Sequence, residues 1–138
     1  MKQKYVIGDL VKVMLEDKWQ VVVVIGYEVA YERYVVTNDY IRETRDNISV
    51  KENEITPIPL TSKILEKNRW KTFIELHDFR YAFKIDDSCY LVVMTGFLDG
   101  IRIFIRKGTI YSKLRTLKYV SDLQHLLFGL GLKSEMEV

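Results

Sequence analysis

Residues 19–30 read "WQVVVVIGYEVA". Four consecutive valines and an isoleucine are β-branched and stiff at χ1, which favours a pleated strand over a helix. An uninterrupted valine run predicts a strand with both faces covered, as in a closed barrel or the inside of a sandwich. Gly26 interrupts the run and marks a bulge or a bend. Upstream, "DLVKVML" (9–15) sets Val11, Val13 and Leu15 against Leu10, Lys12 and Met14, a strand with one buried face. "EDK" (16–18) turns the chain between the two. Downstream, "YERYVVT" (31–37) is a third strand, "NDYIRETRDN" (38–47) is polar and reads as a loop, and "ISVKENEITPI" (48–58) reads as strand, tight turn, strand. Five short strands in about 60 residues must hide their edges, and a small SH3-like barrel does so.

The second half changes pattern. "PLTSKILEKNRW" (59–70) predicts a short helix, with Thr61 or Ser62 as N-cap, Glu66 in capping-box range, Ile64 and Leu65 inward, and Asn68 at its end. "WKTFIEL", "FRYAFKI", "CYLVVMT", "IRIFIR" and "TIYSKLRTL" follow as strands, separated by His77–Asp78, "DDS", "GFLDG" and "KG" turns. Phe79, Tyr81, Phe83 and Ile85 share one face of their strand, and Ile101, Ile103 and Ile105 share one face of theirs. This antiparallel meander needs a cover. The helix from about Tyr119 supplies it, because Val120, Leu123, Leu126, Leu127 and Leu130 fill an arc of roughly 120°. "LKSEMEV" (132–138) alternates again and predicts a charged edge strand. The expectation is therefore an α+β, mostly β protein. Residues 1–60 form the SH3-like barrel, and residues 61–138 form a small α+β unit whose antiparallel meander is covered by the C-terminal helix.

Charge and proline support that boundary. Residues 1–60 hold eight lysines and arginines against ten acids, and the remainder thirteen against nine. The only prolines, Pro57 and Pro59, stand at the change of sign. The net charge of +2 does not by itself demand a nucleic-acid partner. A single cysteine, Cys89, forms no internal disulfide and fits a reducing cytosol. No apolar run approaches the roughly 20 residues of a membrane helix, and Asp9 and Lys12 break any signal-peptide core. A soluble, cytoplasmic protein is expected.

Three stretches in the same order, "IGDLVKV" (7–13), "ITPIPLTSKILEKNRW" (55–70) and "KYVSDLQHLLFGL" (118–130), together resemble a pattern found in small uncharacterised proteins of gut anaerobic bacteria and of their phages and mobile elements. That pattern runs Ile-Gly-Asn, then Pro-Ile-Pro-Leu-Thr, then Tyr-Val-His-x-Leu-Gln. The matching residues are Gly8, Pro57, Pro59, Leu60, Thr61, Tyr119, Val120, Leu123 and Gln124, with Ser121 where the pattern often has histidine. The resemblance implies a phage or mobile-element origin and no activity.

No motif carries catalysis. Ser121, Asp122 and His125 contain the atoms of a triad, but on one exposed helix they lack an oxyanion hole or a strained turn. His125, roughly 140° from Val120, is expected on the solvated face. His77 has no second His or Cys at ligand spacing, so no metal is expected, and the glycines form no phosphate loop and imply no cofactor. The candidate binding surface is "IRIFIRKGTIYSKLRTLK" (101–118), which carries Arg102, Arg106, Lys107, Lys113, Arg115 and Lys118 and no acid. Phe104 stands between Arg102 and Arg106 on the outward strand face, an arrangement that stacks a base between phosphate-binding cations. Phe128, at the border of the apolar helix arc, is the second candidate, suited to self-association. The sequence thus predicts a non-enzymatic binding protein with a protein partner or itself as partner, and nucleic-acid binding through 101–118 as the alternative.

Overall fold

The valine stretch forms β2 (Lys18–Glu28), paired antiparallel with β1 (Leu10–Leu15) on one side and β3 (Arg33–Thr37) on the other. This computed structural model describes residues 4–44, 47–72, 80–98 and 100–138. Val22 and Val24 are buried, whereas Val21 and Val23 are partly exposed and Ile25 is exposed. The run therefore alternates like a half-buried strand, because the strand's outer face is not fully covered. β2 pairs with β1 through Lys18–Val23 and with β3 through Val23–Glu28, and the register shifts between Val24 and Gly26 as it changes partner. Glu16 (φ 51°) and Asp17 (φ 64°) make the two-residue β1–β2 turn, whose doubled positive φ matches the twist of the strands it joins.

β4 (Ile48–Val50), a single 3-10 turn (Glu52–Glu54) and β5 (Ile55–Pro57) complete the first sheet, whose order is β4-β3-β2-β1-β5. Among the described residues no pairing of β4 with β5 closes this ladder. Pro57, which lacks an N–H, ends an edge strand, where that loss costs least. Val11, Val13, Val22, Val24, Val36, Ile41 and Ile55 form the core with Tyr5 and Tyr34. The Tyr34 hydroxyl accepts from the Lys4 and Tyr5 backbone N–H groups at 2.9 and 3.2 Å. The polar stretch expected as a loop holds a helix, α1 (Asp39–Thr44). Asn38 caps it, its Oδ1 accepting from Ile41 N at 2.8 Å, and Ile41 is fully buried.

In the second half, α2 (Ser62–Lys67) is capped by Thr61, whose hydroxyl accepts from Ile64 N, and ends at Asn68. β6 (Lys71–Thr72), β7 (Arg80–Asp86), β8 (Cys89–Phe97), β9 (Gly100–Lys107) and β10 (Ile110–Leu117) form a second antiparallel sheet of order β10-β9-β8-β7-β6. Register places Tyr81, Phe83, Leu91, Val93, Ile103 and Leu117 on one face, where all but Phe83 are buried. Trp70 packs its ring 5.4 Å from that of Phe83. Gly100 takes φ 120° where a Cβ would stand 2.7 Å from the Leu117 carbonyl oxygen, so only glycine fits there. The expected His77–Asp78 turn, Phe79 and Asp99 lie outside the described residues.

α3 (Val120–Gly129) is the C-terminal helix; Asp122 Oδ2 accepts from Lys118 N and Tyr119 N, both at 2.9 Å. The chain divides into two compact units, residues 1–58 with 123–135 and residues 59–122 with 136–138. From Leu123 onward the helix thus groups with the first unit, although its leucine row was expected to lid the second sheet. Leu123 and Leu127 are buried and Leu130 is exposed, beyond the helix's last turn. Residues 133–138 form no strand despite their alternation. Their backbone is taken by side chains instead, as Asn68 Nδ2 donates to Glu137 O at 2.7 Å and Asn68 Oδ1 accepts from Glu137 N at 2.8 Å. Among the described residues no helix is long and apolar enough to cross a membrane.

Candidate functional site

Alternation along β9 puts Arg102, Phe104 and Arg106 on the face opposite Ile101, Ile103 and Ile105, of which Ile103 is buried, and the ladder decides what stands beside them. Lys84 of β7 pairs with Tyr90 of β8, Tyr90 with Arg106 of β9, and Arg106 with Tyr111 of β10. Four strands therefore lay one cross-strand row, Lys84–Tyr90–Arg106–Tyr111, in which cation and aromatic ring alternate. Lys84 is exposed and the other three are partly exposed. The guanidinium carbon of Arg106 lies 5.7 Å from the Tyr111 ring centroid, within cation–π range. Arg106 Nε donates to Gly108 O at 2.7 Å, which ties the guanidinium to the β9–β10 turn. Phe104 meets Tyr111 edge to face at 6.4 Å and 84°.

The next row on the same face is Ala82–Val92–Phe104–Lys113, and it is closed at its centre, with Val92 fully buried. Phe104 is partly covered and Lys113 is exposed. Arg102, in the row beyond with Met94 and Thr116, is partly buried. Of the sequence candidates, then, Arg102, Phe104, Arg106 and Lys113 share a face. Lys107 pairs with Cys89 and Ile110 on the opposite face. A register shift between Lys113 and Arg115 inserts Leu114, and this puts Arg115 opposite Ile103, away from Lys113. Phe128 belongs to the first unit, where it is 77% exposed.

Acids sit at one end of the sheet. Lys84 Nζ lies 3.0 Å from Asp87 Oδ1, with both side chains well exposed, so the pair is weak and exchangeable. The Ser88 backbone N–H and hydroxyl, at 2.9 and 3.1 Å, hold the Asp86 carboxyl below the usual aspartate range, and Lys107 adds a smaller pull. Among the described residues no cluster of His, Cys, Asp and Glu is placed to hold a metal ion.

His125 keeps 37% of its side chain exposed, as its place on the helical wheel suggested, but it has a buried partner. Its Nε2 lies 2.6 Å from Oδ1 of Asp9, which is 1% exposed and whose Oδ2 accepts from Val6 N at 3.0 Å. Next to it, Gln124 accepts from Leu10 N at 2.9 Å and donates to Gly8 O at 3.0 Å and Ser134 O at 3.2 Å. In the second unit Pro59 bridges to Tyr119, and Leu60 N donates to Lys118 O. Gly8 with Gln124, Pro59 with Tyr119 and Leu60 with Lys118 thus join distant parts of the chain, a structural use for segments that looked motif-like. In comparisons with protein-family models, with curated proteins and with solved structures, the chain matches none.

Proposed function

We propose that this chain is a non-enzymatic binding protein whose second sheet holds single-stranded nucleic acid along the Lys84–Tyr90–Arg106–Tyr111 row. The observation that carries the reading is the alternation itself. Rings offer a stacking surface that any unpaired base can use, and the cations beside them meet the phosphates. Three strand spacings give the row a length of about 14 Å. A duplex keeps its bases stacked on one another, so the rings favour single strands. Residues 100–118 contribute no acid to compete with phosphate.

The test is fluorescence anisotropy of labelled single-stranded DNA and RNA, with a duplex as comparison. If Lys84, Arg106 and Lys113 each meet a phosphate, the slope of log K against log salt is about −2, and affinity falls roughly 15- to 20-fold between 50 and 200 mM salt. Tyr111→Ala weakens binding about 5- to 100-fold by removing one stacking ring. Absence of binding at low salt, or equal binding by Tyr111→Ala, refutes the reading.

A second reading, association with a protein partner or with another copy, is favoured by the exposed ring of Phe128. Light scattering across a concentration series tests it, since a strict monomer excludes self-association. The first sheet's order, with β5 returning to β1 and β2 shared along its length, supports an SH3-like arrangement. Barrels of that kind serve many roles, so this lends support by analogy only. A phage or mobile-element origin and work in a reducing cytosol complete the proposal.

A further inference from the structure

The Lys84 end of the row opens into a cleft. Among the described residues β6 pairs with β7 at Lys71–Ala82 and Thr72–Tyr81. Arg69, with φ 67°, turns the chain out of line, and Trp70 N donates to Leu65 O at 3.0 Å, drawing the segment toward α2. Beyond Ala82, Phe83 and Lys84 therefore have no paired strand on that side among the described residues. The space left is about 490 Å³, lined by Arg69, Lys71, Phe83, Lys84 and Tyr90 together with two small side chains. That volume falls in the range of small-molecule sites, about 300–1,000 Å³.

Among the described residues the lining holds three cations, of which Lys84 has Asp87 as an exposed partner 3.0 Å away, and no carboxylate, so it favours an anion. It also holds the Tyr90 ring, on the same sheet face as Lys84, which a bare phosphate does not use. Phe83 turns its ring to the other face of the sheet, 5.4 Å from that of the buried Trp70, and meets the cleft at the strand edge. We infer that this cleft is a site for one nucleotide, with a flat base against Tyr90 and a phosphate among Arg69, Lys71 and Lys84. The inference deepens the strand-binding reading and shares Lys84 and Tyr90 with it. The nucleotide comes either free or as the phosphorylated end of a strand lying on the row.

Amide chemical shifts of the whole chain, titrated with AMP, UMP and ribose 5-phosphate, test the site. AMP and UMP should shift the amides of Lys71, Phe83 and Tyr90, and ribose 5-phosphate should bind at least fivefold more weakly because it lacks the base. Arg69→Gln with Lys71→Gln changes two exposed side chains and should weaken AMP at least tenfold, while Tyr111→Ala leaves AMP within about twofold. Oligonucleotides with and without a 5′-phosphate separate the sources. A 5′-phosphate preference that disappears in the double variant assigns the cleft to strand ends, and indifference assigns it to free nucleotides. Unmoved cleft amides at millimolar AMP, equal binding of ribose 5-phosphate, or unchanged AMP affinity in the double variant overturns the inference. Oligonucleotide binding with a silent cleft overturns the cleft and leaves the row standing. AMP binding without oligonucleotide binding does the reverse.

Discussion

Replacing Gln124 by leucine tests the tertiary arrangement most directly. The side chain is 5% exposed and makes three hydrogen bonds, accepting from Leu10 N and donating to Gly8 O and Ser134 O. Leucine keeps most of the volume and removes all three. The Leu10 N–H loses its acceptor, and a buried unsatisfied donor costs about 1–3 kcal/mol. The two carbonyls lie nearer solvent and each forfeit about 0.5–1.5 kcal/mol of net bonding. The apolar side chain gains a little from leaving water, so the expected loss is about 3 kcal/mol. With a urea m-value of about 1–3 kcal/mol/M, the unfolding midpoint falls by at least about 1 M. The assay is urea unfolding followed by circular dichroism and by fluorescence, with Trp70→Phe as background so that Trp19 reports the first unit. A midpoint that moves by less than about 0.3 M refutes the reasoning, because it means that these three groups were never withdrawn from water.

Asn38→Ala removes the cap of α1 and the Nδ2 bonds to Gln20 Oε1 (3.1 Å) and Val21 O (3.0 Å), and should cost about 1–3 kcal/mol by thermal unfolding. Gly100→Ala forces a Cβ against the Leu117 carbonyl oxygen at positive φ and should lower stability by about 1–3 kcal/mol, whereas Gly108→Ala, which meets no atom within 4 Å, should cost less. The Asp86 carboxyl is held down by its Ser88 partners, so the β7–β8 turn is most stable above about pH 4, the ordinary aspartate value, and loosens as pH falls through the lower folded value. Carboxyl-carbon NMR titration of Asp86 should show that depressed midpoint, and Ser88→Ala should return it toward the ordinary value.

The strands and the α2 helix were legible because their signals are local. Val11 and Val13 alternate with Leu10 and Lys12, and Thr61 caps the helix it precedes. α1 was missed even though Asn38 and Asp39 carry a start signal. Among its described side chains Ile41 is the one fully buried apolar residue, too little for a visible stripe. The tail 132–138 was misread because alternation announces a strand only where another strand is free to pair. Here Asn68 takes the backbone instead. The outward face of Arg102, Phe104 and Arg106 followed from period two alone. Tyr90, Lys84 and Tyr111 did not, because register is a property of two strands, and the shift at Leu114 that turns Arg115 away from Lys113 leaves no mark in composition.

The sequence by itself determined a mostly β chain with two short helices near its middle and end, and it determined the greasy side of β1 and of β9. Local periodicity contains that information, since neighbours along the chain share a face at fixed steps. Only the tertiary structure decided what each face meets. Leu10 with Gln124 and Asp9 with His125 are 114 and 116 positions apart. No local rule joins residues at that distance, so the helical wheel could place the histidine toward water but could not show that it reaches a hidden carboxylate.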